Sequence, residues 1–233
     1  MPDDLHQIET QPPLARAQFV GRILFDMVCN ILATNSQVRI EDLLSILASN
    51  GGYCCLLAAL GDSCSIEPPP GSGSAIPKMI VVTHKSGRIY YFSERANDYL
   101  IKEEFSLLRL ALCAALSGDA EIPFKMIQET IGHVAETIGS DSAEFGVPRL
   151  PDEHLPGDLP LNYVRMLWPK FLDVLNSHHV PPAQWPATLG FALHPVIAAS
   201  RGATDPTLAA RITIECAVPM ARVDPKRIAA DPD

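Results

Sequence analysis

The sequence lacks every short motif that would by itself announce a chemistry. It has no G-x-x-x-x-G-K-[ST] loop to cradle phosphates, no G-x-G-x-x-G opening a helix after a strand, and no H-E-x-x-H placing two metal ligands on one helical face. The stretch GDSCS at 61–65 lacks the closing glycine of a nucleophile elbow. C-x-x-C is also missing, and Cys29, Cys54, Cys55 and Cys113 fall in apolar helical stretches, where a reduced thiol packs as a small hydrophobe. The longest apolar runs, such as YCCLLAALG (53–61) and LLRLALCAAL (107–116), fall short of the roughly 18 residues that span a bilayer. The opening MPDDLHQIETQPP is acidic and polar, unlike the basic and then apolar start of a secretory leader. A cytoplasmic protein with no membrane segment is the expectation. Positive charge is in short supply, 18 Lys+Arg against 27 Asp+Glu for a net −9, so the field repels phosphate backbones and disfavours nucleic acid as a partner.

What is present is an ordinary globular composition, 47% hydrophobic and 19% charged over 233 residues. Residues 14–34 carry Phe19, Val20, Ile23, Leu24, Met27, Val28, Ile31 and Leu32 at helical spacing. VRIEDLLSILASNGG (38–52) predicts a second helix, stopped by Asn50-Gly51-Gly52, and YCCLLAAL a short third one with almost no polar face. EPPPGSGS favours neither helix nor ladder and marks a linker over 67–77. KMIVVTHKSGRIYYF (78–92) reads as a β-hairpin turning at Ser86-Gly87, apolar on both faces, so something must cover it: the next helix, a strand near 64–67, or a partner. Further helices follow at ANDYLI, at 104–118 as a central buried element, from Pro123 to Gly139, over 162–179 with a kink or break at Pro169, and in PATLGFALHPVIAASRG. The last, in DPTLAARITIECAVPM, has Asp205 as N-cap and Pro206 at the first helical position.

The expected fold is therefore α+β, mainly α. A flexible N-terminus (1–13) precedes a three-helix and hairpin unit (14–93), a helical domain (94–223) and a frayed tail (224–233). Three helices and then a hairpin resembles a winged-helix unit in element order, with no motif behind it. In a DNA reader the third helix would offer Arg, Lys, Asn or Gln to base edges, whereas GYCCLLAAL has no charged side chain. The apolar hairpin and that helix both demand cover, which points to a homodimer.

His178 and His179 are adjacent and point about 100° apart on a helix, so they suit the helix C-terminal dipole better than one metal ion. Glu129 and His133 lie off the apolar stripe of their helix and suit a solvated face. Neither a metal nor a cofactor is expected. The strongest functional stretch is EFGVPRLPDEHLPGDLPLNYVRMLWP (144–169), too long for an ordinary connection and too regularly spaced in leucine for a linker. Its prolines lower the cost of an ordered path. It is read as a strap over 144–161, with Arg149, Asp152, His154, Asp158, Tyr163 and Trp168 as candidate ligand-binding residues. A His among carboxylates suits a general base or a metal. The structural alternative pairs Arg149 with Asp152 or Glu153, uses Asp158 as a helix cap, and gives His154 a backbone carbonyl. Three functions are expected in order: a non-enzymatic protein-interaction or regulatory protein, a small-molecule-binding protein or hydrolase beside the strap, and a winged-helix transcription regulator.

Overall fold

The computed structural model describes residues 14–33, 38–65, 79–113, 123–138, 145–200 and 205–229. The linker at 67–77 and the N-terminal 1–13 lie outside them. The first apolar stripe folds as α1 (Ala15–Leu32), burying Ala17, Val20, Gly21, Leu24 and Val28. A second helix, α2 (Ile40–Ser65), is followed by the hairpin strands β1 (Met79–Thr83) and β2 (Ile89–Ser93), paired antiparallel with Val81 opposite Tyr91. A short α3 (Glu94–Asn97) passes into a π-helical turn at Asp98–Lys102, and α4 (Leu107–Leu112) and α5 (Phe124–Ile138) follow. The chain ends in α6 (Pro160–Ser177), α7 (Trp185–Ser200), α8 (Pro206–Met220) and α9 (Pro225–Ala229). This is a mainly α, α+β fold.

The first correction concerns Asn50-Gly51-Gly52, which end no helix. They lie inside α2, so two expected helices are one continuous element of 26 residues. The glycines are present because other helices come too close for a side chain. A Cβ on Gly52 would sit 2.0 Å from the Ala217 carbonyl oxygen of α8, and one on Gly51 would meet Leu107 Cδ1 at 2.7 Å and Leu189 Cβ at 3.2 Å. The helix itself accepts from the polar donors of this stretch, while Asn50 Oδ1 is buried without a hydrogen-bond partner among the described residues. Ser49 Oγ donates to the Ser45 carbonyl at 2.5 Å and Asn50 Nδ2 to that of Ile46 at 2.9 Å.

With the break gone, α2 becomes the axis of the molecule, flanked by α6, α7 and α8. One hydrophobic core runs from Val20 and Leu47 to Ile214 and Val223, joining the two halves that the sequence divides. Merging the two runs also creates one helix long and apolar enough to cross a membrane, Ile40–Asp62, but 89% of its apolar window is buried inside the fold. The residues that a winged-helix reader would turn to DNA, Tyr53, Cys54, Cys55 and Leu56, are core. Burial raises the Cys54 and Cys55 thiols well above their ordinary values, which leaves them unreactive.

Three further expectations change. Of the central helix expected over 104–118, the described residues hold Leu107–Leu112, and 114–118 lie outside the description. Pro169 does not break its helix, since α6 runs from Pro160 to Ser177 with the proline inside it. The tail is not frayed from 224. Asp224 and Ile228 are buried, α9 forms, and Arg165 Nε donates to the Arg227 carbonyl at 2.7 Å. The residues just before α9 cover β2 of the hairpin, where Tyr91 N donates to the Arg222 carbonyl at 3.0 Å and Tyr90 bridges Val223, while Ile80 and Val81 of β1 stay exposed. Asp205 caps α8 as the sequence predicts, accepting from Thr207 N at 2.9 Å.

The close approach at Gly52 is tested by Gly52→Ala against Gly61→Ala, where an added Cβ meets nothing within 4 Å. Gly52→Ala is expected to cost about 1–3 kcal/mol or more, by overpacking. Gly61→Ala is expected to be neutral or to stabilise by up to about 1 kcal/mol, through helix propensity. Thermal melts of both variants check the contrast; a turn at 50–52 would not produce it.

Candidate functional site

The strap leaves the buried Phe145, whose ring lies 4.8 Å from that of Tyr90, and turns at Gly146 with φ +83°. It then runs extended, through one 3-10 turn at Asp152–His154, to the start of α6. Its polar side chains reach out to distant elements. Arg149 passes over Asp152 and Glu153 and binds Glu215 on α8, with Nη2 2.6 Å and Nε 3.1 Å from the same carboxylate oxygen. Arg149 N and Thr130 Oγ1 also donate to Glu215. Glu215 is 3% exposed, so this fork compensates a carboxylate deep in the core.

The second half of the strap is fastened across the first turn of α2. His154 Nδ1 donates to Glu41 Oε1 at 3.1 Å, Gly157 N and Tyr163 OH donate to Asp42 Oδ1 at 2.6 and 2.9 Å, and Arg39 Nη2 donates to the Leu155 carbonyl at 3.1 Å. Glu41 and Asp42 are placed there by the helix N-terminus, whose positive end favours acids. Burial alone would push the Glu41 carboxyl up. The His154 hydrogen bond, a backbone hydrogen bond and the charges of Arg39 and His154 outweigh it and leave it below its ordinary value. Tyr163 is held well above the usual tyrosine range by burial and by its bond to Asp42.

Of the six residues singled out in the sequence, the structure brings His154, Asp158 and Tyr163 together. Asp158 Oδ1 accepts from Leu159 N and Asn162 Nδ2, steadying the entry to α6. Asp158 N in turn donates to Tyr163 OH at 3.1 Å. Arg149 stands apart at Glu215, and Asp152 stays on the surface. Trp168 is a core residue, edge-on to Tyr53 at 4.9 Å and to Trp185 at 5.8 Å. His154 has a carboxylate to orient it, yet among the described residues no Ser, Thr or Cys hydroxyl or thiol is hydrogen-bonded to it. Chemically the arrangement is a latch. Among the described residues, no three His, Cys, Asp or Glu side chains are grouped to hold a metal ion.

No family model matches the chain, and neither a curated protein nor a solved structure matches it. The functional reading rests on geometry.

One surface was missed from sequence because its residues share a helix with the core stripe. Phe19, Ile23, Met27 and Ile31 follow one another at four-residue steps along α1, Phe19 60% and Ile31 36% exposed, Ile23 and Met27 half-buried, and Met27 also packed against the core. Between α1 and α6 lies an open groove of about 550 Å³ lined by Ile23, Asp26, Met27, Asn30, Ile31 and Lys170. Met166 of α6 is 57% exposed. The signal was legible as a second apolar row beside the buried one.

Two measurements check the latch. Arg149→Met leaves Glu215 buried without its cation. The expected loss is near the lower end of the roughly 3–5 kcal/mol typical of a broken buried pair, since Arg149 keeps 36% of its side chain in water. Urea unfolding at neutral pH reads it, and an unchanged midpoint would contradict the pairing. For Glu41 the folded carboxyl titrates below the unfolded one. Its contribution is complete above the ordinary Glu value of about 4.3 and is lost as pH falls through the lowered folded value. The melting difference between wild type and His154→Ala should therefore shrink as pH falls below about 4, where protonated Glu41 no longer accepts from His154 as a carboxylate.

Proposed function

We propose that the chain is a non-enzymatic interaction protein that works as a homodimer, with α1 and α6 as its contact face. The observation that carries this reading is the row Phe19, Ile23, Met27 and Ile31. It is a ridge at i, i+4, i+8 and i+12, the kind that interdigitates with an equivalent ridge on another helix, and it flanks a groove ready to receive one. A second copy is the occupant favoured by charge. Asp26, which also accepts from Arg22 Nε one turn earlier, and Lys170 line opposite sides of the same groove, so a two-fold axis could place each beside its opposite on the partner. Isologous contacts need such self-complementarity.

A cytosolic location accompanies the proposal, supported by buried, unpaired thiols at Cys54, Cys55 and Cys216. The alternative, a small-molecule-binding protein or hydrolase beside the strap, has less support because Arg149, His154 and Tyr163 are engaged within the fold. A winged-helix regulator has less still, because its reading helix would have to leave the core.

Light scattering after size exclusion, at micromolar chain concentration, tests the homodimer. The wild type is expected at twice the 25.3 kDa chain mass, and Ile23→Asp and Ile31→Asp at one chain mass with little change in melting temperature. A monomeric wild type, or dimeric variants, would overturn the reading.

A further inference from the structure

The sequence places Cys113 among the thiols that pack as small hydrophobes, but the structure sets it apart from them. Cys113 is the C-cap of α4 and its side chain is exposed, whereas Cys54, Cys55 and Cys216 are buried and Cys29 is half-buried. Burial pushes the Cys54, Cys55 and Cys216 thiols well up. At Cys29 burial and the Asp26 carboxylate outweigh Arg22 and push the thiol up as well. Those four are poor nucleophiles near neutral pH, because the thiolate is the reactive form.

Beside Cys113 stands a base. His194 of α7 is also exposed, and its Nδ1 lies 3.4 Å from Cys113 Sγ. A packed helix contact sets this distance. One turn before His194, α7 presents Gly190, where a Cβ would come within 2.8 Å of Leu110 Cβ, so the backbone of α7 lies close against α4 on the face that carries the imidazole. The Leu110 carbonyl joins the pair: Cys113 Sγ donates to it at 3.0 Å, and His194 Nδ1 lies 3.2 Å from it. In the neutral pair the thiol donates to this carbonyl. Once the thiol proton has passed to the imidazole, the Nδ1–H of the imidazolium faces both the carbonyl and the sulfur, so the carbonyl keeps a donor in either state.

A nucleophile within reach of a base that a third group orients is the arrangement that activates a thiol. A thiolate beside an imidazolium attacks soft, polarised bonds. For an S–S bond the proton held on the imidazolium has a second use, because the departing thiolate needs one.

We propose that Cys113, activated by His194, is a site of reversible thiol–disulfide exchange with small disulfides. Cys113 Sγ attacks one sulfur of the disulfide, and a new S–S bond to Cys113 forms as the old one breaks. The second sulfur leaves as a thiolate and takes up the proton that Cys113 gave to His194. Cys113 is oxidised to a mixed disulfide, the small disulfide is reduced to one bound group and one thiol, and excess thiol reverses the step. The site uses α4 and α7 and is independent of the α1–α6 dimer reading.

The test is incubation of the full, reduced chain with oxidised glutathione across a range of pH, read by intact mass and by peptide mapping. The wild type is expected to take up its first glutathione at Cys113, with release by dithiothreitol, and Cys113→Ser to lose that adduct. His194→Gln keeps a side-chain donor and removes the titrating ring. It should react about threefold more slowly at pH 7. Loss of one charge-assisted hydrogen bond lowers the thiolate fraction about tenfold, and the greater nucleophilicity of the more basic sulfur restores about half of that on a logarithmic scale. The difference should close by about pH 9.5, where an ordinary thiol ionises unaided. Both variants should melt with the wild type, since both positions are exposed. No adduct, a first adduct mapped to another cysteine, a His194→Gln rate equal to wild type at pH 7, or a deficit that persists unchanged into the alkaline range would each overturn the proposal.

Discussion

Everything in this fold depends on how closely α8 approaches α2 at Gly52. The space that a β-carbon would need is taken by the Ala217 carbonyl, so the two helices touch backbone to backbone. Small residues recur where α1 and α4 pack on α7, at Gly21 against the Thr188 carbonyl and at Gly190 against Leu110 and the Leu107 carbonyl. The core that results has close helix spacing, and dispersion over such contact is large in sum although each atom pair contributes little. Close spacing also explains why α2 tolerates Ser45, Ser49 and Asn50 at complete burial. Ser49 Oγ and Asn50 Nδ2 donate to carbonyls of their own helix and Ser45 Oγ accepts from Cys216 Sγ of α8, while Asn50 Oδ1 is left without a partner among the described residues.

With the helices so tightly spaced, a long connection from α5 to α6 has no interior route and must cross the surface. That gives the strap its physical role. It spends an arginine on Glu215 and its remaining polar atoms on the first turn of α2, so its ends are tied to the two central helices. Prolines at 148, 151, 156 and 160 reduce the entropy lost in holding this path. The latch therefore reinforces the α2–α8 contact from outside, through groups that a chemical site would have needed for a ligand.

The fold class, the hairpin with its Gly87 turn, the cap at Asp205 and the amphipathic α1 and α5 were legible in the sequence, because each rests on a local signal of periodicity or turn chemistry. Asn50-Gly51-Gly52 was misleading for the same reason. Locally it reads as a stop, and only the neighbouring helices, separated from it by more than 50 residues, reveal that the glycines serve packing. The partners of Arg149 and His154 were equally hidden. Nearby Asp152 and Glu153 are the natural local choices, yet an extended strap points successive side chains apart and brings Glu215 and Glu41 within reach instead. The order and path of residues 224–229 were invisible because a five-residue helix has no propensity signal of its own and is held by Arg165 and the hairpin.

The surface that carries the dimer proposal differs from the interior in how its excess is met. Glu215 is met by Arg149 and Thr130, and Asp62 by Arg95 and Tyr99, while the buried Arg222 is held by the Val218 carbonyl and Asn97 rather than by an acid. Charge drawn into the fold is thus met by groups of the same chain, whereas Phe19 and Ile31 of α1 stay exposed beside the groove that Ile23, Asp26, Met27 and Lys170 line. A single exposed apolar side chain needs no explanation, but two on one helix beside a groove offer a second helix a ridge to pack on, and that is why the proposal places its contact there.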